Sequence, residues 1–312
     1  MKSYPKLVVF GEALTDFIRQ DGHSWNAMAG GSPWNIARVA ARLGVATGFG
    51  GSVSEDVFGA EILKLSNEAG LDERFIQQVE KAPLLAMVVS KNPPKYFFIG
   101  NDSADLAFDP GALPPGWLAA VKIVHFGSLG LARQPLAEEL LKIAEQAHAD
   151  GKMVSFDPNY RDPMAAPEYW NTLRRMATIS SYIKLSVEDI QGLFPELDQA
   201  AALVQLRAWA PTASILVTDG AAGMTLLNPD KELFQPALPI IVADTVGAGD
   251  ATMGGWLTSL LTRPERTSAE HIRYAAACAA VCCRHSGAYA PTPDEVAVLL
   301  HDSRESRPDL MS

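Results

Sequence analysis

Cysteine is scarce: three residues in 312, all inside the stretch AACAAVCCR as Cys278, Cys282 and Cys283. An odd number packed into one segment fits no disulfide framework. Cys278 and Cys282 stand one helical turn apart, but no further Cys or His completes a metal site with them, so all three are expected as core thiols. Long apolar runs are also missing; none approaches the roughly 18 residues of a membrane span. The N-terminal MKSYPKLVVFGEAL breaks its short apolar run at Glu12 and has no small-residue cleavage site, so a cytoplasmic location is expected. Basic residues are outnumbered, 26 Lys and Arg against 36 Asp and Glu, for a net charge of -10. With no Lys/Arg cluster, unassisted binding to nucleic acid or an anionic membrane is not expected, and a small-molecule partner is. Finally, there is no Gly-Lys-Ser/Thr phosphate loop and no GxGxxG after the first strand, which argues against a dinucleotide site.

What remains is a chain with 48% hydrophobic and 20% charged residues, suited to one globular unit spanning 1–312. Short β-branched runs at KLVVFGEA (6–13), GFGGSV (48–53), KIVHFGSLG (122–130), MVSFDPN (153–159), YIKLS (182–186) and SILVTDG (214–220) alternate with helix-length segments. Near-continuous apolar strands of this kind belong to a mostly parallel sheet covered on both faces. The fold class is therefore α/β, doubly wound.

In GGSPWNIARVAARLG, Ser32 reads as an N-cap and Pro33 as the first helical residue. Ile36, Val39, Ala40 and Leu43 then form one apolar stripe, and Gly44 ends the helix. Asn35 falls in the first turn, near the strand ends where such folds bind ligands. Two regions interrupt the alternation, 15–30 and 83–105. Both carry extended segments and turn signals at Asp21-Gly22 and Asn92-Pro93-Pro94, and read as a small β-sheet standing off the main one as a lid. Ser303–Ser312 is polar and reads as frayed.

The stretch DTVGAGDATMGGW (244–256) combines a glycine turn with a helix start. Glycines can turn several N–H groups toward one point, and a helix N-terminus adds positive potential, so an anion suits this spot. Asp250 is out of place beside an anion. It is either an N-cap or a group that takes a proton from something arriving next to the anion.

DTVGAGDATMGGWL resembles the C-terminal signature of the PfkB (ribokinase-like) carbohydrate kinases, and AGGSPWNIARVAARLG with Gly59 downstream resembles their N-terminal one. GEALTD (11–16), HFGSLG (125–130), FDPNYR (156–161), KLSVED (184–189) and VTDGAAG (217–223) extend the similarity along nearly the whole chain, closest to the fructokinase branch. The resemblance implies an ATP-dependent sugar kinase. Asp250 would be the general base for the acceptor hydroxyl, with the N–H groups of Gly247, Ala248 and Gly249 as the hole for the γ-phosphate. Asp16 and Asn35 would bind sugar hydroxyls, or serve as a turn residue and a polar first-turn residue. Gly30 and Gly31 would permit close approach and lid hinging. Arg161 would touch substrate or phosphate, or pair with a surface acid.

On the nucleotide side the resemblance assigns Lys184, Ser186, Thr218, Gly220 and Gly223 to the ATP phosphates and ribose, and Ala276 to the adenine, although tight helix packing explains Ala276 equally. Mg²⁺ is implied as ATP's partner, with Asp189 serving its water shell. Here Ser186 and Asp189 stand where Asn and Glu are common, with Glu188 adjacent. K⁺ between Asp244 and Val246 and the turn before Ala288 is a further implication drawn from several relatives. Fructose is the favoured acceptor, with 2-keto-3-deoxygluconate, ribose or a nucleoside as alternatives. Many fructokinases carry Arg in a lid strand where Gly100 stands, and its loss weakens the case for fructose specifically and argues mildly against an anionic sugar phosphate. A non-catalytic sugar-binding relative is a second reading. A lid with apolar SWNAM and KYFFI implies a homodimer formed lid to lid.

Overall fold

The computed structural model of the protein describes residues 3–20, 22–91 and 94–305. Strand β1 (Leu7–Phe10) reads LVVF with every residue buried. Successive strand residues face opposite sides, and both sides are covered here. Leu7 and Val9 enter one core with Ile123, Trp34, Met253 and Trp256, while Val8 and Phe10 enter the other with Val124, Phe126, Val154 and Phe156. The unbroken apolar reading of the strands thus follows from two cores rather than one.

The remaining strands are β2 (Leu14–Arg19), β3 (Trp25–Gly30), β4 (Thr47–Ser54), β5 (Ile76–Val79), β6 (Leu85–Lys91), β7 (Pro94–Ile99), β8 (Ile123–Gly127), β9 (Met153–Asp157), β10 (Tyr182–Ser186), β11 (Ser214–Asp219), β12 (Gly223–Leu227) and β13 (Glu232–Gln235). Eight of them join β1 in one nine-stranded sheet in the order β13-β12-β11-β10-β9-β8-β1-β4-β5. From β11 to β5 all neighbours pair in parallel; β12 and β13 add an antiparallel edge. The strands β5, β12 and β13 fall outside the expected set: β5 and β13 are short half-exposed runs, and β12 is a short buried run that follows directly on the turn at Gly220–Ala222. The chain winds outward from β1 through β4 to β5, then returns to β8 on the other side. Ligands of doubly wound sheets bind at such a reversal, outside the carboxyl ends of the strands.

The expected lid is a four-stranded sheet in the order β3-β2-β6-β7. Its central pair, β2 and β6, is parallel, and the outer pairs are antiparallel. The turns expected at Asp21-Gly22 and Asn92-Pro93-Pro94 include residues 21, 92 and 93, which lie outside the described residues. Beyond Ile99 the chain forms a short 3₁₀ turn, Ala104–Ala107, and not lid strand.

Two helix boundaries differ from expectation. The first helix runs Ser32–Arg42, but its N-cap is Gly31, with φ 107°, so Ser32 is already inside the helix and makes no cap. Likewise the helix Ala248–Thr262 is capped by Gly247, which removes the N-cap reading of Asp250. After the alanine-rich helix Ser268–Cys283, a further helix Pro293–Glu305 takes in Ser303, the first residue of the tail expected to fray. Residues 306–312 of that tail lie outside the described residues. Cys278 and Cys282 are buried and Cys283 half-buried, all with free thiols; burial pushes the Cys282 thiol up to about 12. No helix among the described residues is long and apolar enough to cross a membrane.

Candidate active site

The carboxyl ends of β1, β8 and β9, together with the inner face of the lid, enclose a cleft of about 290 Å³ whose lining includes Glu12, Asp16, Asn35, Arg161, Gly249 and Asp250. That volume is at the lower end for small-molecule pockets and suits a compact ligand.

Close packing of two helices builds its floor. A Cβ on Gly254 would lie 2.6 Å from Val39 Cγ1, so only glycine lets Ala248–Thr262 sit this tightly on Ser32–Arg42. Their first turns are thereby brought side by side. Ser32 and Asn35, three apart on one helix face, both reach Asp250. Ser32 Oγ donates to Asp250 Oδ1 at 2.6 Å, and Asn35 Nδ2 donates to Oδ2 at 2.9 Å. Burial raises the Asp250 pKa above the ordinary carboxylate range, opposed by these two hydrogen bonds and by Lys184 and Arg161. A raised carboxylate is a stronger proton acceptor. Asn35 Oδ1 is buried with no partner in the protein, and an unpaired buried acceptor costs about 1–3 kcal/mol. A hydroxyl entering the cleft would satisfy it.

Asp16 leaves β2 toward the same space. Burial lifts its pKa to about 6; Arg161 pulls it down and Asp250 pushes it up. Close approach requires glycine at 30 and 31: a Cβ on Gly30 would run into Asp16 Oδ2, and one on Gly31 would sit 2.7 Å from Glu12 O. Arg161 Nη1 donates to Asn159 O, Asn159 Oδ1 and Tyr160 O at 3.1, 2.9 and 2.6 Å. Its guanidinium lies over the Tyr96 ring of the lid, 5.8 Å from the centroid. Arg161 is thus a wall of the cleft.

The glycine turn forms the opposite wall. Gly247 has φ 79°, and a Cβ there would lie 2.6 Å from Ala288 Cα. Gly247 and Gly249 line the cleft, while the Ala248 N–H turns back to Thr245 O at 3.2 Å. Of the three N–H groups expected to face an anion, Ala248 is therefore already engaged within the turn. First-turn N–H groups of a helix lack intrahelical acceptors, so those near Gly249 suit an anion. Beneath them lies Lys184: a Cβ on Gly249 would be 3.5 Å from its Nζ. Lys184 is buried and ion-paired to buried Asp157 at 2.7 Å, which keeps its ammonium charged. Its role in this geometry is to add positive charge below the turn.

Val246 also lines the cleft, whereas the other expected nucleotide and metal residues do not. Ser186 and Asp189 form a capping box: Ser186 Oγ accepts from Asp189 N, and Asp189 Oδ2 accepts from Ser186 N. Asp189 Oδ1 accepts from Tyr160 N at 2.7 Å. Thr218, half-buried on β11, donates to Leu185 O at 3.5 Å. Gly220 and Gly223 make the turn into β12 with φ 44° and 120°. Ala276 is buried in the core with Met224 and Leu226. Asp244 Oδ1 accepts from Thr245 N and Val246 N, and its Oδ2 accepts from Gly287 N. Val246 O accepts from the Cys282 thiol at 3.5 Å. Among the described residues no group of three or more His, Cys, Asp or Glu could hold a metal.

Sequence reasoning missed several walls of the site. Glu12, 1% exposed, accepts from Gly130 N at 2.8 Å, and burial pushes its pKa up to about 7. A charged residue ending an apolar strand is rarely buried without a function, which was the available signal. Tyr96 and Phe98 form the lid's aromatic face, an outcome of strand register that no local motif encodes. At Gly100 there is no lid cation. A Cβ would collide with Leu84 Cδ1 at 2.7 Å, and Arg133 approaches from outside the lid to hydrogen-bond Gly100 O, Ser103 Oγ and Asp105.

The chain that builds this cleft matches a known family. The model of the pfkB family carbohydrate kinases covers residues 5–295. The chain belongs to this family. It is 31% identical, over 94% of its own length and 81% of the relative's, to "Probable fructokinase-6, chloroplastic" of Arabidopsis thaliana. A fructokinase from Xylella fastidiosa, solved with bound ATP, superposes with TM-score 0.88 at 27% identity, covering 97% of this chain and 100% of that one. Aminoimidazole riboside kinase from Salmonella enterica, solved with aminoimidazole riboside and an ATP analog, gives TM-score 0.82 at 28% identity over 94% and 99% of the two chains. The fold of this pfkB kinase is thus the ribokinase-like α/β fold with a separate small sheet, and the chain is a sugar kinase of the fructokinase branch.

Proposed function

We propose that this pfkB kinase transfers the γ-phosphate of ATP to a hydroxyl of a small neutral sugar, with fructose as the favoured acceptor. The observation that carries the reading is the Asp250 carboxylate, gripped by Ser32 and Asn35 at the first turn of a helix and facing a cleft shared with Asp16. The acceptor sits between Asp16, which accepts from its hydroxyls, and Asn35 Oδ1, which takes another. Asp250 removes the proton of the reacting hydroxyl. The hydroxyl oxygen of the acceptor forms the new bond to phosphorus in line as the bond to ADP breaks, and the shifting negative charge is met by the turn at Gly247 and Gly249 with Lys184 beneath. Phosphoryl transfer requires chiefly this positioning and charge stabilisation.

Mg²⁺ accompanies ATP in such chemistry and is held largely through water and phosphate. Asp189 does not fit as a direct ligand, since it is buried and each of its oxygens already accepts a backbone N–H; exposed Glu188 next to it is the accessible acid. The junction assigned to K⁺ is tied by protein hydrogen bonds through Asp244.

Charge supports a neutral acceptor. Glu12, Asp16 and Asp250 bring carboxyl groups to the cleft, against Arg161, whose Nη1 serves its own loop. An acidic sugar such as 2-keto-3-deoxygluconate would meet repulsion. A second reading, a nucleoside-like acceptor, is favoured by the aromatic wall of Tyr96 and Phe98. On its outer side the lid exposes Phe97 and Ile99, which supports a dimer formed lid to lid, checked by light scattering. A coupled ADP-release assay over fructose, ribose, aminoimidazole riboside and 2-keto-3-deoxygluconate tests the acceptor. Turnover of fructose is expected; preference for the acidic sugar would overturn the charge argument.

A further inference from the structure

We infer that Ser32 is a positioning residue for the base: its hydroxyl holds the Asp250 carboxylate in the one orientation that leaves a lone pair for the acceptor. This rests on the proposed function and deepens it. The geometry is specific. Gly31 takes the N-cap, leaving the Ser32 hydroxyl free of capping, and Ser32 is 9% exposed on the wall of the cleft. Its 2.6 Å bond to Oδ1 and the 2.9 Å bond from Asn35 to Oδ2 engage opposite oxygens of one carboxylate. A carboxylate held at both oxygens cannot swing about its terminal torsion, which is otherwise broad.

The same bond stabilises the ionised form. Ser32 and Asn35 act on Asp250 together with Lys184 from β10 and Arg161 from the loop after β9, while Asp16 on β2, Asp157 on β9 and Cys282 on the helix behind it are the other titratable groups that feel its charge. Loss of one hydroxyl donor leaves every one of these in place. Ser32→Ala is therefore expected to move the acid limb of the kcat/KM profile upward by about one pH unit, the scale of a hydrogen bond to a charged group, and to lower plateau kcat about tenfold with the KM for ATP unchanged. Ser32→Thr, which keeps a hydroxyl, should restore both.

The experiment measures pH profiles of wild type, Ser32→Ala and Ser32→Thr with the acceptor found active, Asp250→Ala as the dead control, and a ¹³C NMR titration of the Asp250 carboxyl in the first two proteins. A Ser32→Ala enzyme with an unmoved acid limb and an unmoved titration overturns the inference alone. Equal turnover by wild type and Asp250→Ala overturns the catalytic reading and the inference with it. A Ser32→Ala protein that loses thermal stability and activity together without a pH shift assigns Ser32 to folding and likewise overturns it.

Discussion

Replacing Asp16 by Asn should stabilise this kinase and at the same time weaken acceptor binding. In the folded protein, burial holds the Asp16 pKa at about 6, with Asp250 adding repulsion and Arg161 opposing it; in the unfolded chain it is near ~3.9. Because the folded value is the higher one, the folded state holds the proton more tightly. The group's contribution to stability is then fully present below about pH 4 and is lost as pH rises through about 6. Above that, the folded protein keeps a charge at a cost of at most about 3 kcal/mol, or about 1–2 kcal/mol once solvent screening of this half-buried group is allowed for. The Asp16→Asn variant carries no such charge. For a chain of this size, Tm should rise by about 2–4 °C at pH 8 and by nothing at pH 4. Calorimetry of both proteins across that range measures it, and steady-state kinetics should show the acceptor KM rising about 10- to 100-fold from the lost charge-assisted hydrogen bonds. A Tm gain that is the same at every pH, or a loss at pH 8, would refute the argument by showing that Arg161 holds ionised Asp16 more strongly than burial opposes it.

Other perturbations probe the remaining parts of the site. Asp250→Ala should lower kcat by about 10² to 10⁴ with thermal stability nearly unchanged, since Gly247 and not Asp250 is the cap; near-normal turnover would remove Asp250 as the base. Lys184→Met leaves buried Asp157 without its counter-ion and should cost about 3–5 kcal/mol in urea unfolding while Asp157 is ionised, a loss that shrinks as pH falls, because without Lys184 to hold its pKa down Asp157 takes up a proton at higher pH than in the parent protein. Gly247→Ala forces a left-handed φ of 79° on a side chain that meets the Ala288 backbone; single-turnover kinetics should show phosphoryl transfer slowed at least about tenfold by the displaced turn.

Much of the architecture was legible because it is written in local pattern. LVVF, IVHFG and YIKLS read as strands covered on both faces, and that is how they lie. The lid was legible from its extended segments and turn residues, but its pairing was not, since nothing local brings β2 beside β6. The edge strand β13 escaped notice because antiparallel pairing at an exposed edge needs no continuous apolar run. Asp189 illustrates a different limit: a motif position gives a residue's place in the chain, while its partners, here the N–H groups of Ser186 and Tyr160, depend on which loop folds over it.

For the catalytic groups, sequence alone determined which residue types were available and in what order: an acid behind a glycine turn, an amide in a first turn and an acid after the first strand. Periodicity also determined the two-faced sheet on which they stand, because apolar side chains at every successive strand position can be buried only between two layers. The tertiary structure decided which of these groups meet. Ser32 read as a helix cap and is instead a donor to Asp250 across 218 residues of chain, and Lys184 lies as a buried charge under the Gly249 turn, paired to Asp157, a partner no local motif names. The physical reason is that hydrogen bonds and ion pairs act over about 3 Å of space, whereas a sequence records only distance along the chain, and the approach of the two helices at Gly254 and Val39 converts one into the other.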